Sequence, residues 1–206
     1  MPQELPYLRE TASQTAGPYV HIGLAPGDAG FRIYNEELGH DICGPNAEGE
    51  RVRVEGVVLD GTGTPVKDVL LEVWQANSKG HYAHPEGGGD VEPGFRGWGR
   101  VISDFETGDW AFETIKPGRA PGRSTGMQAP HLNIWIVARG INIGLNTRMY
   151  FADEAAANAT DPVLNLIEWD RRRETLIAAR HETGAVPTYR FEIRLQGDAE
   201  TVFFDV

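Results

Sequence analysis

The sequence predicts an all-β protein, a β-sandwich with an irregular N-terminal arm and a few short helices. Three observations lead there. Short runs with period-two alternation or near-continuous apolar content recur from Arg51 onward. Turn signals such as Asp60-Gly61-Thr62-Gly63 and Lys116-Pro117-Gly118 separate them. Helical signals are few and fall late in the chain.

Residues 1–50 carry little periodicity. Thr11 to Tyr19 is small and polar, and Pro26-Gly27-Asp28-Ala29-Gly30 is a turn cluster. This reads as an extended arm, and a long irregular stretch in a compact protein usually binds something. Strands are expected over 51–59, 69–74, 110–115 and 131–137, the last covered on both faces because it is nearly all apolar. Another should close at Tyr150-Phe151, another runs over 189–195, and Thr201-Val202-Phe203-Phe204-Asp205 ends the chain. Asp153-Glu154-Ala155-Ala156-Ala157 starts a helix with acids at its positive end. Asp161-Pro162 reads as an N-cap followed by proline at the first helical position, and a further short helix is expected over 172–179. No linker composition interrupts 51–206, so one sandwich domain with an arm over 1–50 is expected.

With 206 residues, 40% hydrophobic and spread evenly, the chain can bury a core without staples. Nineteen basic against 30 acidic residues give a net charge of −11, which excludes a nucleic-acid surface and disfavours an anionic membrane. Cys43 is the only cysteine, so no intrachain disulfide forms. No apolar run spans a bilayer and the first residues lack a leader pattern, so a cytoplasmic location is expected.

The chemistry-bearing residues suggest a metal site and then argue against it. His131 and Asn133 lie two apart on an expected strand and so project from one face. A His-x-His pair there would be a two-ligand platform, but asparagine offers a ferric ion neither charge nor imidazole nitrogen. On residues alone, His131 is a buried hydrogen-bonding group and His81 and His84 decorate a loop. Gly87-Gly88-Gly89 precedes no helix, so it is a loop and not a phosphate cradle. Asp41 beside Cys43 should raise the thiol pKa, and Arg171-Arg172-Arg173 among acids reads as a solvated helix face.

Leu71-Glu72-Val73-Trp74-Gln75-Ala76-Asn77, Gly80-His81-Tyr82, Gly97-Trp98-Gly99-Arg100 and Thr114-Ile115-Lys116-Pro117-Gly118, in this order and spacing, resemble the signature of the intradiol ring-cleavage dioxygenases. Ser13-Gln14-Thr15-Ala16-Gly17-Pro18-Tyr19, Ala138-Arg139-Gly140-Ile141-Asn142-Ile143 and the closing Thr201 to Asp205 narrow the resemblance to α subunits of heteromeric members. The resemblance implies a Greek-key β-sandwich. It also implies a ferric centre, Fe(III) held by two tyrosinates and two histidines, that cleaves protocatechuate with O2 to 3-carboxy-cis,cis-muconate. Carried over position by position, Tyr82 and His131 are present. The second tyrosine is Ala120, the second histidine is Asn133, and a nearby arginine is Gln128.

The resemblance therefore implies a chain with a degenerate metal site and no catalytic residue of its own. Its partner would be a homologous β subunit that holds the Fe(III), in a higher-order αβ oligomer. Thr15, Gly17, Pro18 and Arg139 would be lent to the β pocket, Arg139 suiting the substrate carboxylate. Two alternatives stand beside this. A self-sufficient dioxygenase would recruit replacement ligands such as His81, His84 or Glu86. A non-enzymatic small-ligand-binding sandwich would use exposed aromatics such as Trp98 and Trp110.

Overall fold

The structure, a computed structural model, describes residues 14–87, 89–122, 126–182 and 184–205. The beginning of the arm through Ser13, and Gly88, lie outside them. Eight strands form: β1 Arg51–Leu59, β2 Leu70–Gln75, β3 Trp98–Ile102, β4 Asp109–Ile115, β5 His131–Val137, β6 Leu145–Phe151, β7 Ile177–His181 and β8 Thr188–Arg194. Their order across the sheet is β3-β2-β5-β6-β7-β8-β1-β4. Antiparallel β3-β2-β5-β6 makes one layer and β8-β1-β4 the other. Strand β7 joins them, parallel to β6 and antiparallel to β8. The mostly-β sandwich expected from the sequence is what forms.

The alternation read from the sequence sets the core. Val52, Val54 and Val58 of β1, Leu71 and Val73 of β2, Leu132, Ile134 and Ile136 of β5 and Phe191 and Ile193 of β8 converge in one apolar cluster. One polar link crosses it. The buried Gln75 amide donates to Ile115 O at 2.9 Å and accepts from Thr114 Oγ1 at 2.6 Å, tying β2 to the end of β4.

Several expectations are corrected. Strand β3 has no clear pattern in the sequence because Gly99 interrupts it. A side chain there would collide with the Gly39 carbonyl and Ile42, since the arm packs on this edge and Arg100 N donates to Gly39 O at 2.9 Å. The helix expected over 172–179 is α3, Asp170–Glu174, and Ile177 to Ala179 belong instead to β7, where pairing with β8 outweighs helix propensity. Asp161 caps only one 3-10 turn, Leu164–Leu166. The Thr201–Asp205 segment makes a single bridge, Phe204 to Asn146. Strand β5 is buried on its inner face only; Asn133, Trp135 and Val137 on the other are half-buried.

In the arm, α1 is Pro18–Leu24, with Pro18 at its start, where a missing N–H costs nothing. The acid-rich segment is realised as a 3-10 turn, Ala152–Glu154, running into α2, Ala155–Asn158. Among the described residues no helix is long and apolar enough to cross a membrane.

Candidate functional site

The metal corner suggested by the sequence does assemble, and its geometry is that of a closed hydrogen-bond network. Asn77, fully buried after β2, builds the loop that carries Tyr82. Its Oδ1 accepts from Lys79 N and His81 N at 3.0 and 2.9 Å, and its Nδ2 donates to Glu92 at 2.8 Å. His131 opens β5 with its ring buried. Its Nδ1 lies 2.7 Å from the Ala129 carbonyl, which only accepts, so Nδ1 carries the proton and Nε2 is left as an acceptor. The Tyr82 hydroxyl donates to it at 3.2 Å. The Asn133 amide in turn donates to the Tyr82 oxygen at 3.1 Å and to Trp74 O at 3.2 Å.

Electrostatics keep this corner neutral. Burial, reinforced by the Arg148 cation, lowers the His131 pKa to about 4, so the imidazole is uncharged at neutral pH. Burial also raises the Tyr82 pKa, against a smaller opposing pull from the Asn133 hydrogen bond and Arg148, so the phenol keeps its proton. Arg148 on β6 donates to Gln128 Oε1 at 2.6 Å and to the Tyr150 hydroxyl at 3.3 Å. Ala120 is buried and offers no side-chain donor atom. A ferric ion needs anionic oxygen ligands to offset its charge. One protonated phenol, one imidazole and an amide supply none and do not fit that ion.

The replacement ligands do not gather either. His81 bonds to Asp90 O at 3.0 Å, and His84 Nδ1 accepts from Glu86 N at 3.1 Å. Among the described residues, the one grouping of three such side chains is Asp28, Glu37 and His40, in the arm. The exposed aromatics of the non-enzymatic alternative are corrected too. Trp110 is 2% exposed and packs against Phe112, while Trp98 is half-buried under the Arg100 guanidinium. Cys43 is buried, and burial is the main cause of its raised thiol pKa, with Asp41 adding to it and Arg51 opposing.

The other four sequence-predicted residues come together at one rim. Gly140 N donates to Thr15 Oγ1 at 2.7 Å, stapling the arm to the turn after β5. Gly17 and Pro18 follow directly into α1. A cleft of about 320 Å³ opens there between Pro18, His21, Phe31, Phe105, Asp68 and Arg139. The Arg139 side chain is 72% exposed, and its Nε is held by Asp68 Oδ2 at 2.5 Å. Among the described residues, none accepts from its terminal nitrogens. A Cβ at Gly17 would meet no described residue within 4 Å, so the described fold does not require glycine there.

No site role is legible in the sequence for Asp161, Arg148 or Asp68, and Asn77 stands there only as the last residue of the Leu71–Asn77 motif. Asp161 is fully buried and accepts from Ala129 N, Val163 N and Leu164 N at 2.7, 2.8 and 2.8 Å, setting the entry into β5. Its only signal was the Asp-Pro pair, read as a helix cap. Arg148 and Asp68 carried no signal at all.

This β-sandwich brings Tyr82 and His131, two of the positions carried over from the intradiol pattern, into contact at the start of β5. A family model described as "Dioxygenase" matches residues 33–197, and the chain belongs to the intradiol dioxygenase family, which uses iron. In particular, it is 51% identical over 205 residues to the protocatechuate 3,4-dioxygenase alpha chain of Pseudomonas putida, covering 100% of both chains. The protocatechuate 3,4-dioxygenase beta chain of Burkholderia cepacia is 37% identical over 157 residues, 72% of this chain and 66% of that one. A solved dioxygenase domain from a carbohydrate-binding protein fusion of Streptomyces sp. SirexAA-E aligns with a TM-score of 0.54 at 22% identity. It covers 79% of this chain and 88% of its own, and it shows the shared fold.

Proposed function

We propose that this chain is the α component of a cytoplasmic αβ intradiol dioxygenase that cleaves protocatechuate with O2 to 3-carboxy-cis,cis-muconate. The Fe(III) and the ring cleavage belong to the homologous β partner. This chain supplies structure and pocket residues. The observation that carries the reading is the corner where Tyr82 and His131 satisfy each other at 3.2 Å, with Ala120 and Asn133 where two further ligands would stand.

The arm, residues 1–50, is read as the part that packs on the partner, and 51–206 as the sandwich domain. Tyr19, Phe31, Ile33, Tyr34 and Leu38 all expose apolar side chains along the arm, a density that marks an interaction surface. Thr15, Gly17 and Pro18 present a narrow backbone edge at the rim, where a glycine lets a partner approach closely. Arg139 offers its free guanidinium edge to a carboxylate. Asp68 holds the other edge and so positions it.

A substrate series tests this. Arg139→Ala in the αβ protein is expected to raise KM for protocatechuate roughly tenfold more than for catechol, which lacks the carboxylate. Asp68→Asn should give a smaller shift in the same direction, because the guanidinium remains but is no longer aimed. Equal effects on both substrates would assign Arg139 to assembly instead.

A further inference from the structure

We infer that the outer face over Asn133 and Arg148 is a metal-free binding site for a small planar aromatic carboxylate. Trp98 on β3, Trp74 on β2, Asn133 on β5 and Arg148 on β6 are register partners in one row across four strands. They line a cleft of about 460 Å³ with Trp135, Val163 and Phe204 on its walls. Neighbouring strands lie about 4.8 Å apart, so the backbones that carry Trp74 and Arg148, two strands apart, are separated by roughly 10 Å.

Each end of the row has matching chemistry. Trp74 is 44% exposed and presents aromatic surface on which a ring can pack. Arg148 spends Nη1 on Gln128 and Tyr150, while Nε and Nη2 donate to no described residue and stay accessible. That free edge suits a carboxylate. Between them the Asn133 amide, already bonded to Tyr82, offers its oxygen to a ring hydroxyl. Two acids also border the cleft: Glu72 is neutralised by Arg100 at 2.7 Å, and Asp205 is exposed at the rim. The guanidinium thus stands as the cationic anchor that a metal would otherwise provide.

This rests on the proposed reading of the corner as iron-free, and one experiment separates the two. Equilibrium dialysis of 4-hydroxybenzoate against the αβ protein, with iron measured in parallel, is expected to give two ligands and one iron per αβ pair. Arg148→Met should abolish one ligand, and Trp74→Ala, at a largely surface position, should weaken it at least tenfold, with iron unchanged in both. One ligand per pair in the wild type, or a full complement retained in both variants, would overturn the inference. Dissociation of Arg148→Met protein into separate chains would also overturn it, by assigning the guanidinium to a partner carboxylate. Two irons per pair would instead refute the iron-free reading.

Discussion

Asp161→Ala is expected to destabilise the protein by roughly 4 kcal/mol, lowering Tm by about 10 °C in thermal unfolding followed by circular dichroism. The carboxylate is fully buried and gathers three backbone N–H groups, from Ala129, Val163 and Leu164, as well as the Tyr150 hydroxyl at 3.3 Å. Alanine strands all of these donors away from water, and each buried orphan costs about 1–3 kcal/mol. Asp161→Asn should cost about half as much. Its oxygen still serves the Val163 and Leu164 turn, but its NH2 faces the Ala129 N–H. Because Ala129 accepts the His131 proton and leads into β5, the loss should spread to the corner itself. A Tm drop below about 3 °C would mean that this anchor is redundant.

Acid should loosen the same corner through His131. The imidazole is neutral when folded, with its pKa lowered to about 4 by burial and Arg148, whereas the unfolded chain protonates near 6.5. Above pH 6.5 neither state binds the proton and stability is unaffected. As pH falls from 6.5 towards 4, the unfolded chain binds a proton that the folded chain refuses, so stability is lost over that window. The loss totals roughly 3 kcal/mol, from about 1.4 kcal/mol per unit of pKa difference. His131→Gln removes the titration. The difference in urea midpoint stability between wild type and variant should therefore narrow by about that amount from pH 7 to pH 4, while other groups titrate alike in both. Parallel curves would show that the ring is not held neutral.

Much of the fold could be read because its core strands alternate. Val52-Arg53-Val54 and Phe191-Glu192-Ile193 put every second side chain inward, and the structure buries those residues. Strand β3 was illegible because its central Gly99 serves the arm lying on it, a contact between segments distant in sequence. Strand β7 was mistaken for helix because Ile177 to Ala179 favours helix locally and gains strand form only by pairing with β6 and β8.

The candidate site divides in the same way. Tyr82, Ala120, His131 and Asn133 could be placed by motif, and the structure brings Tyr82, His131 and Asn133 into one hydrogen-bonded chain. The charge that governs them could not. Arg148 lies in Leu145-Asn146-Thr147-Arg148, a stretch without a motif, and it reaches Gln128 only because β5 and β6 pair. Likewise Asp68 precedes β2 without pattern and meets Arg139 across 71 residues of chain. Side chains that act through tertiary neighbours leave no periodicity to read.

Anomalous scattering at the iron edge from crystals of the assembled αβ protein locates the metal most directly. The expected map has a strong peak in the β partner and none between Tyr82 and His131. A fully occupied iron peak bonded to those two side chains would contradict it.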